Sequence, residues 1–224
     1  MAVHQVDLYG KIHKALRRML SSFISRVGAL DWDDVAAVAA LKPDWALIQQ
    51  ELHRHHGHEE QHIHSLLARG APGSVRELEA DHSANLSLLE DLNRRFLCLA
   101  DGAAPADRRA ALGDELFQAL NLFYARLLGH MHREDVEAQR VLDSTCSQQE
   151  LAAALGAIVG SIPPAEMLVL AGHMFPAISL PERAEILGGI KASAPPQAYA
   201  AMADCVRAAI GETEWAALGA RIGA

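Results

Sequence analysis

The chain is short of several things at once, and each shortage closes off a class of protein. Aromatic residues make up only 5% of its 224 residues. No stretch alternates apolar and polar positions between hairpin-turn signals, so a sheet-based core is not expected. Cysteine occurs three times, at Cys98, Cys146 and Cys205. An odd and scattered set makes neither a disulfide framework nor a zinc motif, and it fits a reducing cytoplasm. Positive charge is outnumbered, with 20 Lys and Arg against 28 Asp and Glu and a formal net charge of −8. No basic cluster offers a surface to nucleic acid. Apolar runs are broken by Gly, Pro or charge well short of a membrane span, and residues 1–7 lack the charged and apolar regions of a signal peptide. The expectation is a cytoplasmic protein with neither nucleic acid nor membrane as partner. Half of the residues are hydrophobic, with Ala and Leu dominant, which favours packed helices. The length suffices for one domain with a sizeable core and a smaller companion.

What the chain does have is histidine. His53-Arg54-His55-His56-Gly57-His58-Glu59-Glu60-Gln61-His62-Ile63-His64 packs six histidines and two glutamates into twelve residues. Histidine adds nothing to helix propensity, so the run needs another reason. Within it, His55 and Glu59 stand four apart, one helical turn on the same face. The spacing returns as His130 and Glu134 in Leu128-Gly129-His130-Met131-His132-Arg133-Glu134-Asp135.

Taken in order, the apolar periodicity predicts four long helices and a tail. Helix 1 spans about His4 to Val27, with the stripe Val6, Tyr9, Leu16, Leu20, Phe23, Val27 and His13 in the missing place. A linker from Gly28 to Lys42 precedes helix 2, opened by Pro43-Asp44 and running to about Arg69. Its stripe Ile48, Leu52, Ile63, Leu66 puts His55 and Glu59 inside. A rival register through Trp45, Leu52, Ile63 and Leu67 puts His56 and Glu60 inside instead. Helix 3 starts after Gly70-Ala71-Pro72-Gly73, with Ser74 and Glu77 as a capping box. It runs to about Ala100 along Val75, Leu78, Leu86, Leu89, Asn93, Phe96 and Leu99, and His82 fills the gap. Helix 4 runs from Asp107 to about Asp143 along Leu116, Leu120, Phe123, Leu127, Ala138 and Val141, with His130 and Glu134 in the gap. Counted from the turns at about 1.5 Å per residue, these gaps fall at comparable depths of an up-down four-helix bundle. Residues 1–143 are therefore read as an all-α bundle and residues 144–224 as a small C-terminal helical appendage. In the appendage, Pro164-Ala165-Glu166, Pro181-Glu182-Arg183 and Gly211-Glu212 mark helix starts. It either packs on the bundle or serves self-association, as in a homodimer; its one histidine, His173, is read as structural.

Four inward histidines and two inward glutamates at one level call for compensation, because buried charge must be paired or must hold a metal. Nitrogen and oxygen donors without thiolate suit two iron or manganese ions better than one structural zinc. The residues His13, His55-x-x-x-Glu59, His82 and His130-x-x-x-Glu134 resemble the hemerythrin-like, HHE cation-binding family over about residues 4–143. That resemblance implies a non-haem di-iron centre, oxo- or hydroxo-bridged, with carboxylate bridges and an open position for dioxygen, peroxide or another small oxidant. It assigns the metal to His13, His55, Glu59, His82, His130 and Glu134, with His56, Glu60 and Asp135 as alternative ligands. The chain departs from the family's oxygen carriers at Leu86, where they hold a second histidine of helix 3. It departs again at Glu134, since their carboxylate falls where Asp135 stands. Fewer histidines open a coordination position and point from reversible oxygen carriage toward oxidase, scavenging or sensing roles. Tyr9, one turn before His13, reads as a core aromatic, a hydrogen-bond donor to a bound oxygen species or a ligand. Tyr124 is a weaker candidate for the same. Glu79, one turn before His82, is either solvated or an orienting carboxylate. The alternative function is a non-catalytic iron or oxygen sensor or storage module that signals through the C-terminal helices.

Overall fold

A computed structural model describes residues 6–223, and among them the chain is all-helical, 85% helix with no strand. The helices are α1 (Gly10–Val27), α2 (Val35–Ala39), α3 (Lys42–His62), α4 (His64–Leu67), α5 (Pro72–Ala100) and α6 (Arg109–Arg133). They continue as α7 (Gln139–Thr145), α8 (Gln148–Ser161), α9 (Pro164–Met174), α10 (Leu180–Ser193), α11 (Pro196–Ile210) and α12 (Glu212–Ile222). No single helix among the described residues is long and apolar enough to cross a membrane. The chain divides into two compact units, one holding Met19–Leu155 together with residues up to Tyr9, the other Gly10–Arg18 with Gly156 onward. The division thus falls twelve residues beyond the boundary expected at 143. The start of α8 explains this: Val6 N donates to Gln148 Oε1 at 2.8 Å, and Arg69 pairs with Glu150 at 2.5 Å.

In the first unit, α5 packs on α6, α3 and α2, and α4 packs on α7. Phe23 stacks on Trp45 with ring centroids 5.1 Å apart, and Phe96 meets both at 5.9 Å. The Trp45 indole N–H donates to Asn93 Oδ1 at 3.1 Å, which satisfies its one polar atom. Trp45 precedes His55 by ten residues, about 15 Å along α3, so an aromatic plug and a polar layer occupy different levels of the same core. Gly113 of α6 is buried because Trp32 lies over it: a Cβ there would stand 2.0 Å from the indole Cδ2.

Several helix boundaries differ from the sequence expectations. The expected start at His4 lies outside the described residues; residues 6–8 are not helical, and Tyr9 is the N-cap of α1. The linker contains α2, capped by Asp34, whose side chain accepts from Ala37 N. Ser74 is not a cap: Pro72 occupies the first turn of α5 and Ala71 is its N-cap, a place suited to proline's fixed φ and missing N–H. The expected helix 2 breaks at Ile63 (φ −110°) and resumes as α4. This turns Leu67 and His64 inward; Leu67 belongs to the rival register, and the first register had Leu66 there. In α5 the inward positions are Asn85 and Leu92 rather than Leu86 and Asn93. The expected helix 4 opens with a 3₁₀ turn at Ala106–Arg108. It then passes through a π-helical turn, Glu134–Ala138, in which Gln139 N–H reaches back five residues to Glu134 O. That wider turn delays the inward position by one residue, and Leu142 is buried in place of Val141.

The second unit has its own core of Ala171, Phe175, Leu187, Met202, Val206 and Leu218. Its α9 packs on α11, and α12 packs on both α10 and α11. Ser179 and Glu182 form a capping box at α10, with Ser179 N donating to Glu182 Oε2 at 2.7 Å. Lys14 Nζ adds an ion pair to the same carboxylate at 2.5 Å. Buried Arg183 donates from Nε to Phe175 O at 2.6 Å and pairs with Glu214.

Candidate metal centre

The centre is built on α3, α5, α6 and the π turn. The four-residue spacing sets His55 Nε2 3.2 Å from Glu59 Oε1 on α3, and His130 Nε2 3.1 Å from Glu134 Oε1 on α6. From α5, His82 presents Nε2 to both carboxylates, 3.2 Å from Glu59 Oε2 and 3.5 Å from Glu134 Oε1. Each glutamate therefore stands between two imidazoles. Glu59, His82, His130 and Glu134 offer ligand atoms that lie within 4.8 Å of one another. All of these side chains are at most 5% exposed. At these short distances His82 Nε2 and His130 Nε2 make no hydrogen bond; they are close to the carboxylates without being aligned on them.

Of the remaining candidates, His13 is wholly buried on α1, and Tyr9 is 1% exposed. Asp135, Tyr124 and His173 are half-buried. The two registers weighed for helix 2 are not exclusive: His55, His56 and Glu59 all lie inside, and Glu60 lies outside. His64, which lies on neither expected stripe of helix 2, is 4% exposed and stacks on His82 with centroids 5.5 Å apart. The break at Ile63 is responsible, and periodicity carries no signal of it.

A layer of outer carboxylates backs these imidazoles. His82 Nδ1 donates to Glu60 Oε1 at 3.0 Å. Asp81 Oδ2 approaches His130 Nδ1 at 3.5 Å and is itself paired with Arg133, while Oδ1 of the same carboxylate pairs with Arg126. Glu79, a candidate for orienting His82, instead approaches His64 Nδ1 at 3.5 Å. Carboxylates on the far nitrogen fix the ring orientation and raise the basicity of a metal-binding imidazole.

The electrostatics are those of a site that concentrates negative charge. Burial alone would depress the His82 pKa, but the carboxylates of Glu134, Glu59 and Glu60 outweigh it and push it up to about 10. His56 goes the other way, down to about 3, because of burial and the neighbouring His82 and His130. The Tyr9 hydroxyl is held well above its ordinary value by burial and then by the charges of Glu59, Glu134 and Asp135. The donor set fits a metal cation. It offers imidazole nitrogen and carboxylate oxygen, buried and clustered, while Cys98, Cys146 and Cys205 are free thiols on other parts of the chain.

An all-helical domain with buried His/Glu clusters at bonding reach of one another belongs to the class of helical cation-binding domains. The family model for the hemerythrin HHE cation-binding domain matches residues 4–141. The chain belongs to that family. No curated protein and no solved structure matches it.

Proposed function

We propose that this chain is a non-haem di-iron protein whose up-down four-helix bundle binds or activates dioxygen or peroxide, as an oxidase or a scavenger. The observation that carries this reading is the position of Glu59 and Glu134, each set between two histidines. A carboxylate so placed can serve two ions at once, and a metal cation would offset the buried negative charge of the two. The ligands on this reading are His55, Glu59, His82, His130 and Glu134, joined by His13. His13 is buried one turn beyond Tyr9 on the same helix, and Tyr9 already feels Glu59 and Glu134. Bound iron, or manganese, would supply redox chemistry toward a small oxidant.

The protein's own part is protection and proton supply. Leu52 and Ile63 flank the α3 ligands, Leu127 and Met131 flank His130, and all four are buried, so the layer is dry. Tyr9 keeps its proton at neutral pH and can donate a hydrogen bond to an anion formed nearby. The free thiols support a reducing, cytoplasmic setting. The test is metal analysis with an optical spectrum of aerobically purified full-length chain. Iron near two per chain and a ligand-to-metal charge-transfer band are expected; a chain without metal and without affinity for iron would overturn the reading.

A further inference from the structure

We propose that His56 is a third imidazole ligand to the ion held by His82 and His130, an inference that rests on the two-ion reading above. His56 lies outside the four-residue spacing that marks His55 and Glu59, and it is only 3% exposed. A neutral imidazole always carries one N–H and one lone pair. In His56 both ring nitrogens are buried and neither makes a hydrogen bond. Leaving a buried polar atom unsatisfied costs about 1–3 kcal/mol, and a leucine of similar size would fill the space without that cost. The position therefore calls for something that takes up a lone pair.

Two other imidazoles of the layer lie against His56. The His56 ring stacks on His82 with centroids 4.1 Å apart and planes 12° from parallel. It meets His130 edge-on at 5.8 Å, and His82 meets His130 edge-on at 4.8 Å. One ligand atom from each of the three lies within 4.8 Å of the others. The outer nitrogens of His82 and His130 face Glu60 and Asp81, which leaves their inner nitrogens for a shared cation together with His56. Three imidazoles and shared carboxylates make this half of the centre richer in nitrogen. The two ions are then unequal, and the His56 half prefers late divalent ions such as Zn(II), for which imidazole is a good donor.

The experiment uses the full-length chain stripped of metal and titrated with Zn(II) and with Co(II), following stoichiometry by calorimetry and cobalt absorption. Wild type should bind two ions. His56→Ala should keep one ion at wild-type affinity and weaken the other more than about 100-fold, beyond the effect typical of losing an outer partner. Added imidazole should restore part of the loss. His53→Ala, at an exposed histidine of the same helix, should change neither. Two ions bound by His56→Ala as tightly as by wild type would overturn the assignment, as would a variant that lowers only metal-free stability. A wild type that binds neither metal would instead overturn the two-ion reading. Should His56→Ala fail to fold, the ¹⁵N resonances of the Zn(II)-loaded wild type decide: a His56 nitrogen must move to the metal-bound range, and an unmoved pair refutes the assignment.

Discussion

Two glycine-to-alanine substitutions in the first unit should move stability in opposite directions. In an exposed helical position the change gains about 1 kcal/mol from helix propensity. Gly57 of α3 is such a place, with nothing within 4 Å of an added Cβ. At Gly113 the same methyl would lie 2.0, 2.2 and 2.4 Å from three ring carbons of Trp32. Carbon atoms pack at about 3.5–4.0 Å, so the indole would have to retreat by about 1.5 Å. Trp32 is only 8% exposed, and its ring is rigid. Overpacking of this kind costs about 1–3 kcal/mol, and expelling the indole altogether costs about 3–5 kcal/mol by analogy with tryptophan truncation. After the propensity gain, Gly113→Ala should destabilise the unit by up to about 4 kcal/mol, a fall in Tm of about 2–4 °C for each kcal/mol. Urea unfolding followed by circular dichroism and tryptophan emission measures both variants. In a Trp32→Ala background, where the obstacle is gone, Gly113→Ala should become neutral or stabilising, which a double-mutant cycle reads out. Gly113→Ala with a wild-type midpoint and unshifted emission would refute the reasoning.

Further expectations concern charge and metal. In the second unit, partial burial would raise the Glu182 pKa, but the Lys14 ammonium and the Ser179 hydroxyl and N–H hold it down to about 2. A depressed carboxylate contributes stability above its ordinary value near 4.5, lost as pH falls toward 2; Lys14→Met should raise the Glu182 pKa and move acid unfolding of that unit to higher pH, as NMR titration would show. Glu60→Gln removes the negative charge of the acceptor on His82 Nδ1 and should weaken metal affinity about 10–100-fold with little loss of metal-free stability; unchanged affinity by calorimetry would exclude a role for that charge. Chelating the metal from a loaded chain should lower its Tm, since an ion at 100 times its Kd contributes about 2.7 kcal/mol; a scan that chelator leaves unmoved would show that no ion is linked to folding. Glu134→Gln, which keeps the volume of a wholly buried side chain and removes its charge, should lower ion stoichiometry below that of wild type in the same calorimetric titration.

Where the backbone is regular, the inward face could be read from the chain alone. The apolar residues of α1 from Leu16 to Val27 and those of α6 from Leu116 to Leu127 are buried at the expected positions. The histidines and glutamates that interrupt those series are buried with them. The failures have three physical causes. Periodicity has no term for local changes of helix type, so the break at Ile63 and the π turn at Glu134–Ala138 each advanced or delayed the inward position by one residue. At 3.6 residues per turn, one residue is about 100° of rotation, enough to bring His64 inside and to exchange Val141 for Leu142. In α5 the error lay in the choice of residue and not in the backbone. Steps of three and four from Val75 run through Leu78, His82, Asn85, Leu89, Leu92, Phe96 and Leu99, all of them buried. Preferring apolar Leu86 to polar Asn85 broke a regular seam, in which Asn85 Oδ1 accepts from Arg126 Nε at 3.2 Å. In α3, treating His55 and His56 as rivals assumed an inward stripe one residue wide. A buried helical face spans at least about 100°, and Glu51-Leu52 and His55-His56 both lie inside. A stripe two residues wide is what places a second imidazole of α3 beside His82 and His130, with ring centroids 4.1 Å and 5.8 Å away.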